Sequence, residues 1–168
     1  ELKKVRRRIE DGKPAKDAPD TVASWLERWR ESSLAASDRK ATTKSLYGSL
    51  SRKHLEATAI GAKRLDRLKP SDVEALIVEL RGKKLADSTV RGVYTVLRQA
   101  LDVAVRDGLL ASNPVAKVKR PGVARTEAKY LAAADVARLL DAAKGLRYYV
   151  AVMLMAATGL RRGEIAGL

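Results

Sequence analysis

The last stretch of the sequence contains an arginine in a setting suited to binding a phosphate. An apolar run from 148 to 157 predicts a buried helix that is too short to cross a membrane. Gly159 then predicts a left-handed helix end, which places Arg161 in the first turn of a second helix. Free backbone N–H groups, the helix dipole and a guanidinium fork all favour a phosphate there. On this geometry alone, a solvated or salt-bridged arginine is the other interpretation.

A second group of basic residues lies on one face of a helix predicted from about Asp38 to His54. Lys40, Lys44 and Arg52 share this face with small residues, a combination that lets a phosphate backbone approach closely and be held. Gly48 lies among them and costs a helix interior about 1 kcal/mol relative to alanine, which favours a close contact at that point. The contact could be with a phosphate backbone or with a neighbouring helix, and the sequence leaves both open.

A third group lies on the helix predicted from Ser88 to about Arg106. Arg91, Thr95 and Arg98 are spaced at i, i+4 and i+7, opposite the apolar stripe of the same helix. This spacing produces a polar ridge of the kind that a helix presents to a DNA groove, where arginine can read guanine edges or clamp phosphates. A charged outer face that is merely solvated is the alternative.

Three more basic residues, Lys117, Lys119 and Arg120, lie in a stretch from 113 to 129 that has no apolar periodicity. We expect this stretch to be a positively charged, extended interdomain linker. Residues 113 to 130 contain five basic residues and one acidic residue, whereas residues 70 to 112 contain six of each. This uneven distribution indicates a localised binding footprint.

The composition as a whole favours a nucleic-acid partner. Thirty-four Lys and Arg against twenty Asp and Glu give a formal charge of +14, which suits nucleic acid or an anionic membrane surface. No apolar stretch reaches the length of a transmembrane helix, so nucleic acid is the preferred interpretation. The sequence has no cysteine and one histidine, which excludes disulfides and thiolate metal sites and leaves zinc without ligands. We therefore expect no metal site.

The elements that position these groups are predicted to be helices throughout, because apolar residues recur at helical spacing and no strand alternation occurs. The predicted core faces are Val22, Trp25 and Trp29 in the first helix, Leu46, Tyr47, Leu50 and His54 in the second, and Val90, Val93, Tyr94, Leu97, Leu101 and Ala104 in the helix from Ser88. These patterns divide the chain into a basic helix and linker (1–19), a compact helical domain (20–112), the basic linker (113–129) and a second helical unit (130–168).

Four strings of the sequence resemble the tyrosine recombinase (phage integrase) family. Thr-Gly-Leu-Arg-x-Gly-Glu at 158–164 is similar to the motif that carries the family's first catalytic arginine, and further matches lie at 21–26, 88–91 and 108–114. The resemblance extends from about 20 to 168. It implies a mainly α fold: a SAM-like helical core-binding domain, a basic linker and the first helices of an integrase-type catalytic domain. For 1–19 it implies the tail of an upstream arm-binding domain or the coupler of that domain, and an exposed basic helix without such a role is the other interpretation.

The resemblance gives Arg161 the role of binding the scissile phosphate while a tyrosine attacks it. Arg162 occupies the variable position of the motif and points about 100° away on the helix, so we interpret it as a surface or structural residue. The other catalytic groups of the family are not recognisable. His54 does not begin a His-x-x-Arg string, and Tyr148 and Tyr149 precede the first arginine. We expect the chain to stop inside the catalytic domain and to be inactive alone.

Two functions are compatible with these observations. The first is the DNA-binding portion of a site-specific tyrosine recombinase, whose parent breaks and rejoins DNA through a 3′-phosphotyrosine without a cofactor. The resemblance then implies double-stranded attachment-site DNA of a mobile element as partner, self-association of the full-length protein on that DNA, no membrane, and a bacterial cytoplasmic location. The alternative is a non-catalytic helical DNA-binding or regulatory module that kept the fold.

Overall fold

The computed structural model describes residues 20–124, 127 and 130–168. The chain divides into two compact units after Ala124, and each unit is described by itself below. Within the described residues, helices and helical turns are the regular elements, apart from an isolated antiparallel bridge between Thr21 and Arg64. The predicted mainly α fold is thus confirmed. The helix and linker predicted for 1–19 lie outside the described residues.

The described residues of the first unit form five α-helices: α1 (Val22–Trp29), α2 (Ala41–Ser51), α3 (Ala59–Ala62), α4 (Pro70–Gly82) and α5 (Asp87–Arg106). Two of them continue into single π-helical turns, α1 into Arg30–Leu34 and α2 into Arg52–Glu56. Short 3-10 turns follow at Leu65–Arg67 and Pro114–Lys117. Such π turns occur often at functional sites, and both of these border the basic cavity described below.

The start of α1 is fixed by capping and by a tryptophan. Thr21 caps the helix, because its side chain accepts a hydrogen bond from the backbone N–H of Ser24. Trp25 is buried and its indole Nε1 donates to the carbonyl oxygen of Ala100 at 2.9 Å. This hydrogen bond satisfies the polar edge of the ring inside the core and joins α1 to α5.

The longest helix, α5, forms the centre of the first unit and contacts α1, α2 and α4. Twenty residues span about 30 Å, and the predicted apolar stripe is buried along the whole length. α2 approaches this helix closely at Gly92, where an added Cβ would lie 3.0 Å from Cδ1 of Leu50. The packing of α5 therefore follows directly from its 3.6-residue periodicity.

The structure corrects the predicted second helix in two respects. It begins at Ala41 rather than near Asp38, and Leu46, predicted to face the core, is 55% exposed. Tyr47 and Leu50, by contrast, pack against the core. The buried residues of this helix and its π turn are Gly48, Ser51 and Leu55. Because successive helical residues turn by about 100°, Leu46 lies on the opposite side from Gly48 and Ser51 and faces solvent.

The chain from Asn113 to Pro121 packs on the first unit, which corrects the expectation of an extended linker beginning at Asn113. The Asn113 side chain accepts a hydrogen bond from the backbone N–H of Val115 at 2.9 Å and caps the 3-10 turn. Val115, Val118 and Pro121 are all buried. They recur at every third residue, a spacing that matches neither the helical nor the strand period, which is why periodicity did not reveal them.

The second unit contains α6 (Ala133–Ala143), α7 (Tyr149–Thr158) and α8 (Arg162–Ile165). The apolar run forms α7 as predicted, and Gly159 ends it with a φ of 71° in the left-handed region. The prediction that this helix is buried is wrong, because none of its residues is buried. The two other helices described in this unit, α6 and the four-residue α8, offer too little surface to cover a helix that is apolar on all sides. None of the described helices is long and apolar enough to cross a membrane.

Candidate nucleic-acid interface

Two of the predicted basic residues of the second helix line one cavity. Lys44 and Arg52 meet there with Arg30, Leu34, Ala35 and Gly48, around a concave space of about 250 Å³. Lys44 donates from Nζ to the carbonyl oxygen of Ala35 at 2.6 Å, at the end of the first π turn. Lys40, the third predicted residue of this face, lies exposed just before α2 and does not line the cavity.

The protein atoms nearest to Gly48 belong to the same stretch of chain and not to a neighbouring helix, and a contact with a phosphate backbone stays a prediction. The nearest neighbours of Gly48 outside its own helix backbone are guanidinium atoms of Arg52, which lie 3.4 to 3.8 Å from where a Cβ would be. The guanidinium of Arg52 therefore lies along its own helix in a place that a side chain larger than that of alanine at Gly48 would fill. Arg52 itself is exposed, so this arrangement holds a planar fork at the mouth of the cavity.

Arg30 is the residue of this cluster that the sequence did not reveal. Its Nη2 donates to Oε2 of Glu56 at 3.1 Å, and Oε1 of Glu56 accepts from the hydroxyl of Ser51 at 2.8 Å. Both charged side chains are largely buried. Arg30 and Glu56 are far apart in sequence, and the two π turns bring them together, so no local pattern could have indicated the pair.

The predicted ridge on α5 is only partly open to solvent. Arg91 is half-buried and donates from Nε to the carbonyl oxygen of Pro121 at 3.0 Å. The hydroxyl of Thr95 donates to the backbone carbonyl of Arg91 at 2.8 Å, while the side chain of Arg98 is exposed. Part of the ridge thus holds the chain that follows α5. Base reading by this ridge stays a prediction.

The basic residues after α5 are presented on a packed segment. Lys117, Lys119 and Arg120 are exposed, while Val118 and Pro121 beside them are buried. Because the buried residues fix the backbone, the three cations are held in place instead of lying on a freely moving linker. Their predicted role as DNA contacts is compatible with this exposure.

His54 lies in the second π turn, directly after Lys53. Burial lowers the pKa of His54 below its usual value, and the positive charges of Lys53 and Lys83 lower it further. The imidazole is therefore neutral at pH 7, and the positive charge of this surface comes from Lys and Arg. No group of three His, Asp or Glu in the described part of the chain could hold a metal ion.

In the second unit, Arg161 lies immediately before α8 and not in its first turn. Its backbone N–H donates to Oε2 of Glu164 at 2.8 Å, which is the contact that the glutamate of a capping box makes at the start of a helix. Its guanidinium lies 3.4 Å from the other oxygen of Glu164, and the side chain is 88% exposed. Glu164 thus fixes the backbone at Arg161 and leaves most of the guanidinium accessible.

Curated proteins similar to this chain are integrases and recombinases, although no protein-family model matches it. The integrase of Saccharopolyspora erythraea is 31% identical over 175 residues, a match that covers 100% of this chain and 39% of the relative. The tyrosine recombinase XerC of Shewanella amazonensis is 26% identical over 150 residues, covering 87% of this chain and 50% of the relative. The chain therefore spans half or less of the length of these relatives.

Solved structures of the same fold are integrases. A lambda integrase dimer bound to a COC′ core site matches with a TM-score of 0.74 at 19% identity, covering 94% of this chain and 43% of that one. The Tn1549 transposon integrase in complex with transposon right end DNA gives 0.73 at 23% identity, covering 88% and 47%. The fold is that of a helical core-binding unit followed by the first helices of an integrase catalytic domain. Over almost its whole length the chain is similar to members of the tyrosine recombinase/integrase family.

Proposed function

We propose that this chain is the DNA-binding portion of a site-specific tyrosine recombinase. The observation that carries the proposal is the row of exposed cations Lys117, Lys119 and Arg120, held on the folded first unit by buried neighbours. Fixed cations contact phosphates without the entropic cost of ordering a flexible segment. The partner is double-stranded DNA, and the relatives in solved structures are themselves in complex with DNA.

In the parent protein, Arg161 binds the scissile phosphate during strand cleavage through a 3′-phosphotyrosine. Support comes from its motif, from the exposed guanidinium and from the hydrogen bond to Glu164 that fixes its backbone. A planar fork at a fixed position can stabilise charge that develops on phosphate oxygens. Full-length copies assemble on an attachment site of a mobile element, in the bacterial cytoplasm where that DNA lies.

Titration of a labelled duplex at several salt concentrations tests the DNA-binding proposal. Each phosphate contact contributes about 0.9 to the slope of log affinity against log salt. Replacing Lys117, Lys119 and Arg120 together by glutamine should therefore flatten this slope by about 0.9 for each lost contact. The matched control replaces Arg81, Lys83 and Lys84, three exposed cations at the end of α4, by glutamine. Equal slopes in the two triple variants, or salt-insensitive binding by the unchanged chain, would contradict the proposal.

A further inference from the structure

The cavity between the two π turns is lined by positively charged side chains that no negatively charged lining residue balances. Arg30, Lys44 and Arg52 all line it, and no acidic side chain does. Glu56 pairs with Arg30 but is not part of the lining. Three cations around one concave space repel one another, and an anion in that space relieves the repulsion.

The hydrogen-bond donors of the cavity are incompletely used. The Nε of Arg30 is buried and has no hydrogen-bond partner among the described residues. Lys44 uses one of its three donors on Ala35. In a folded protein, a buried donor without a partner is rare and commonly marks the place of an absent ion or water.

We propose that this cavity is a binding site for one tetrahedral oxyanion, a phosphate group. Arg52 offers its planar fork at the mouth, where Gly48 leaves room for it, and Lys44 offers an ammonium from the same helix. Arg30 adds a third charge whose position is fixed by Glu56. A fork with two neighbouring cations is the arrangement that proteins use for phosphate oxygens.

Which phosphate occupies the site is an inference that rests on the proposed function. If the chain binds duplex DNA, a backbone phosphate occupies the site and orients the first unit on the duplex, since phosphate contacts fix register without reading sequence. The oxyanion site itself depends only on the cavity, so a free phosphate tests it separately from DNA.

The first experiment titrates inorganic phosphate into the isotope-labelled chain and follows the amide signals of Ala35 and Lys44 by NMR. Arg52→Gln should weaken phosphate binding about tenfold, because one charge-assisted hydrogen-bonding group is lost. The matched control is Lys53→Gln, which removes the same charge from the next residue, outside the cavity lining, and should change the affinity less than twofold.

A second variant keeps all the charges of the cavity and fills the space beside Gly48. Gly48→Leu places a side chain where the guanidinium of Arg52 now lies, so phosphate binding should be lost while the amide spectrum stays that of a folded chain. If this variant does not fold, the comparison of Arg52→Gln with Lys53→Gln still tests whether the cavity binds phosphate. Equal weakening by those two variants, or no saturable shift at Ala35 and Lys44 in the unchanged chain, would overturn the proposed site.

Repeating the titration on the chain saturated with duplex DNA distinguishes the two sources. A backbone phosphate in the cavity should prevent the phosphate-induced shifts, and Arg52→Gln should lower the salt slope by about 0.9 while Lys53→Gln leaves it unchanged. If phosphate shifts the amide signals as much in the DNA complex as in the free chain, no backbone phosphate occupies the cavity. The cavity would then be a site for a free oxyanion. A chain that binds phosphate in the cavity but no duplex would contradict the proposed function alone.

Discussion

At the scale of single residues, Gly61 lies where the structure leaves no room for a side chain. An added Cβ would lie 2.3 Å from the carbonyl oxygen of Glu56 and 2.6 Å from that of Leu55, and both neighbours are backbone atoms. Backbone cannot rotate away as a side chain can. We expect Gly61→Ala to lower the free energy of unfolding by about 1–3 kcal/mol, the usual cost of overpacking, as measured by urea denaturation followed by circular dichroism.

The matched control for this substitution is Gly82→Ala. Gly82 is the last residue of α4, and nothing lies within 4 Å of its added Cβ. Alanine there should leave stability unchanged or raise it by up to about 1 kcal/mol, because alanine is the better helix former. A Gly61→Ala variant as stable as Gly82→Ala would show that α3 and the second π turn are less tightly packed than the structure has them.

The sequence predicted the conformation of residues whose role depends on their immediate neighbours in the chain. Gly159 was recognisable as a helix end because a glycine after an apolar helix commonly adopts the left-handed conformation, and the structure confirms it. The contact of Gly61 with Glu56 depends on how the chain turns after α2, and the pairing of Arg30 with Glu56 joins two separate π turns. Such contacts arise only from tertiary packing, to which periodicity and capping rules do not extend.

At the scale of elements, one face of α5 holds the segment that follows the helix. The hydroxyl of Tyr94 lies within hydrogen-bonding distance of two backbone carbonyl oxygens, at 3.1 Å from Val115 and 3.0 Å from Val118. The side-chain amide of Asn113 donates to the carbonyl of Arg98 at 2.9 Å and to Oδ1 of Asp102 at 2.6 Å. Tyr94, Arg98 and Asp102 are four residues apart and therefore share a face.

We expect Tyr94→Phe to loosen this segment. The substitution keeps the buried ring and removes the hydroxyl, leaving buried carbonyl oxygens without that donor, and should cost about 0.5–1.5 kcal/mol. The amide of Val118, which donates to Val115, should then exchange with solvent faster in hydrogen-exchange NMR.

Tyr47→Phe is the control for this prediction. Tyr47 is half-buried, and its hydroxyl has no hydrogen bond to another described residue. Removing this hydroxyl should leave both stability and the exchange rate of Val118 unchanged. Unaltered exchange at Val118 in Tyr94→Phe would mean that apolar burial alone holds the segment.

Elements with a regular apolar period were predictable, and the segment after α5 was not. The stripe of α5 appears in the sequence every three or four residues and is buried as predicted. The segment 113–121 is held by side-chain hydrogen bonds to its backbone and by three apolar residues at an unusual spacing. Neither signal is a hydrophobic period, so the sequence suggested an extended linker where a packed segment exists.

At the scale of the whole molecule, the two units differ greatly in how much apolar surface they bury. The first unit has a continuous core that includes both tryptophans and most of α5. In the described residues of the second unit, Ala143 is the buried side chain, and the apolar helix α7 exposes Val150 and Met153. Burial of apolar area is the main favourable contribution to folding, so we infer that the second unit is much less stable than the first.

The positions of the tryptophans allow this difference to be measured directly. Both tryptophans of the chain lie in α1, so their fluorescence reports the first unit, whereas far-UV circular dichroism reports helices of both units. On heating, the helical signal should begin to fall before the tryptophan emission shifts, because α6 and α7 melt first. The early phase should be absent from a chain ending at Ala124. Coincident transitions by the two probes would show that the second unit unfolds together with the first and would contradict the inferred difference in stability.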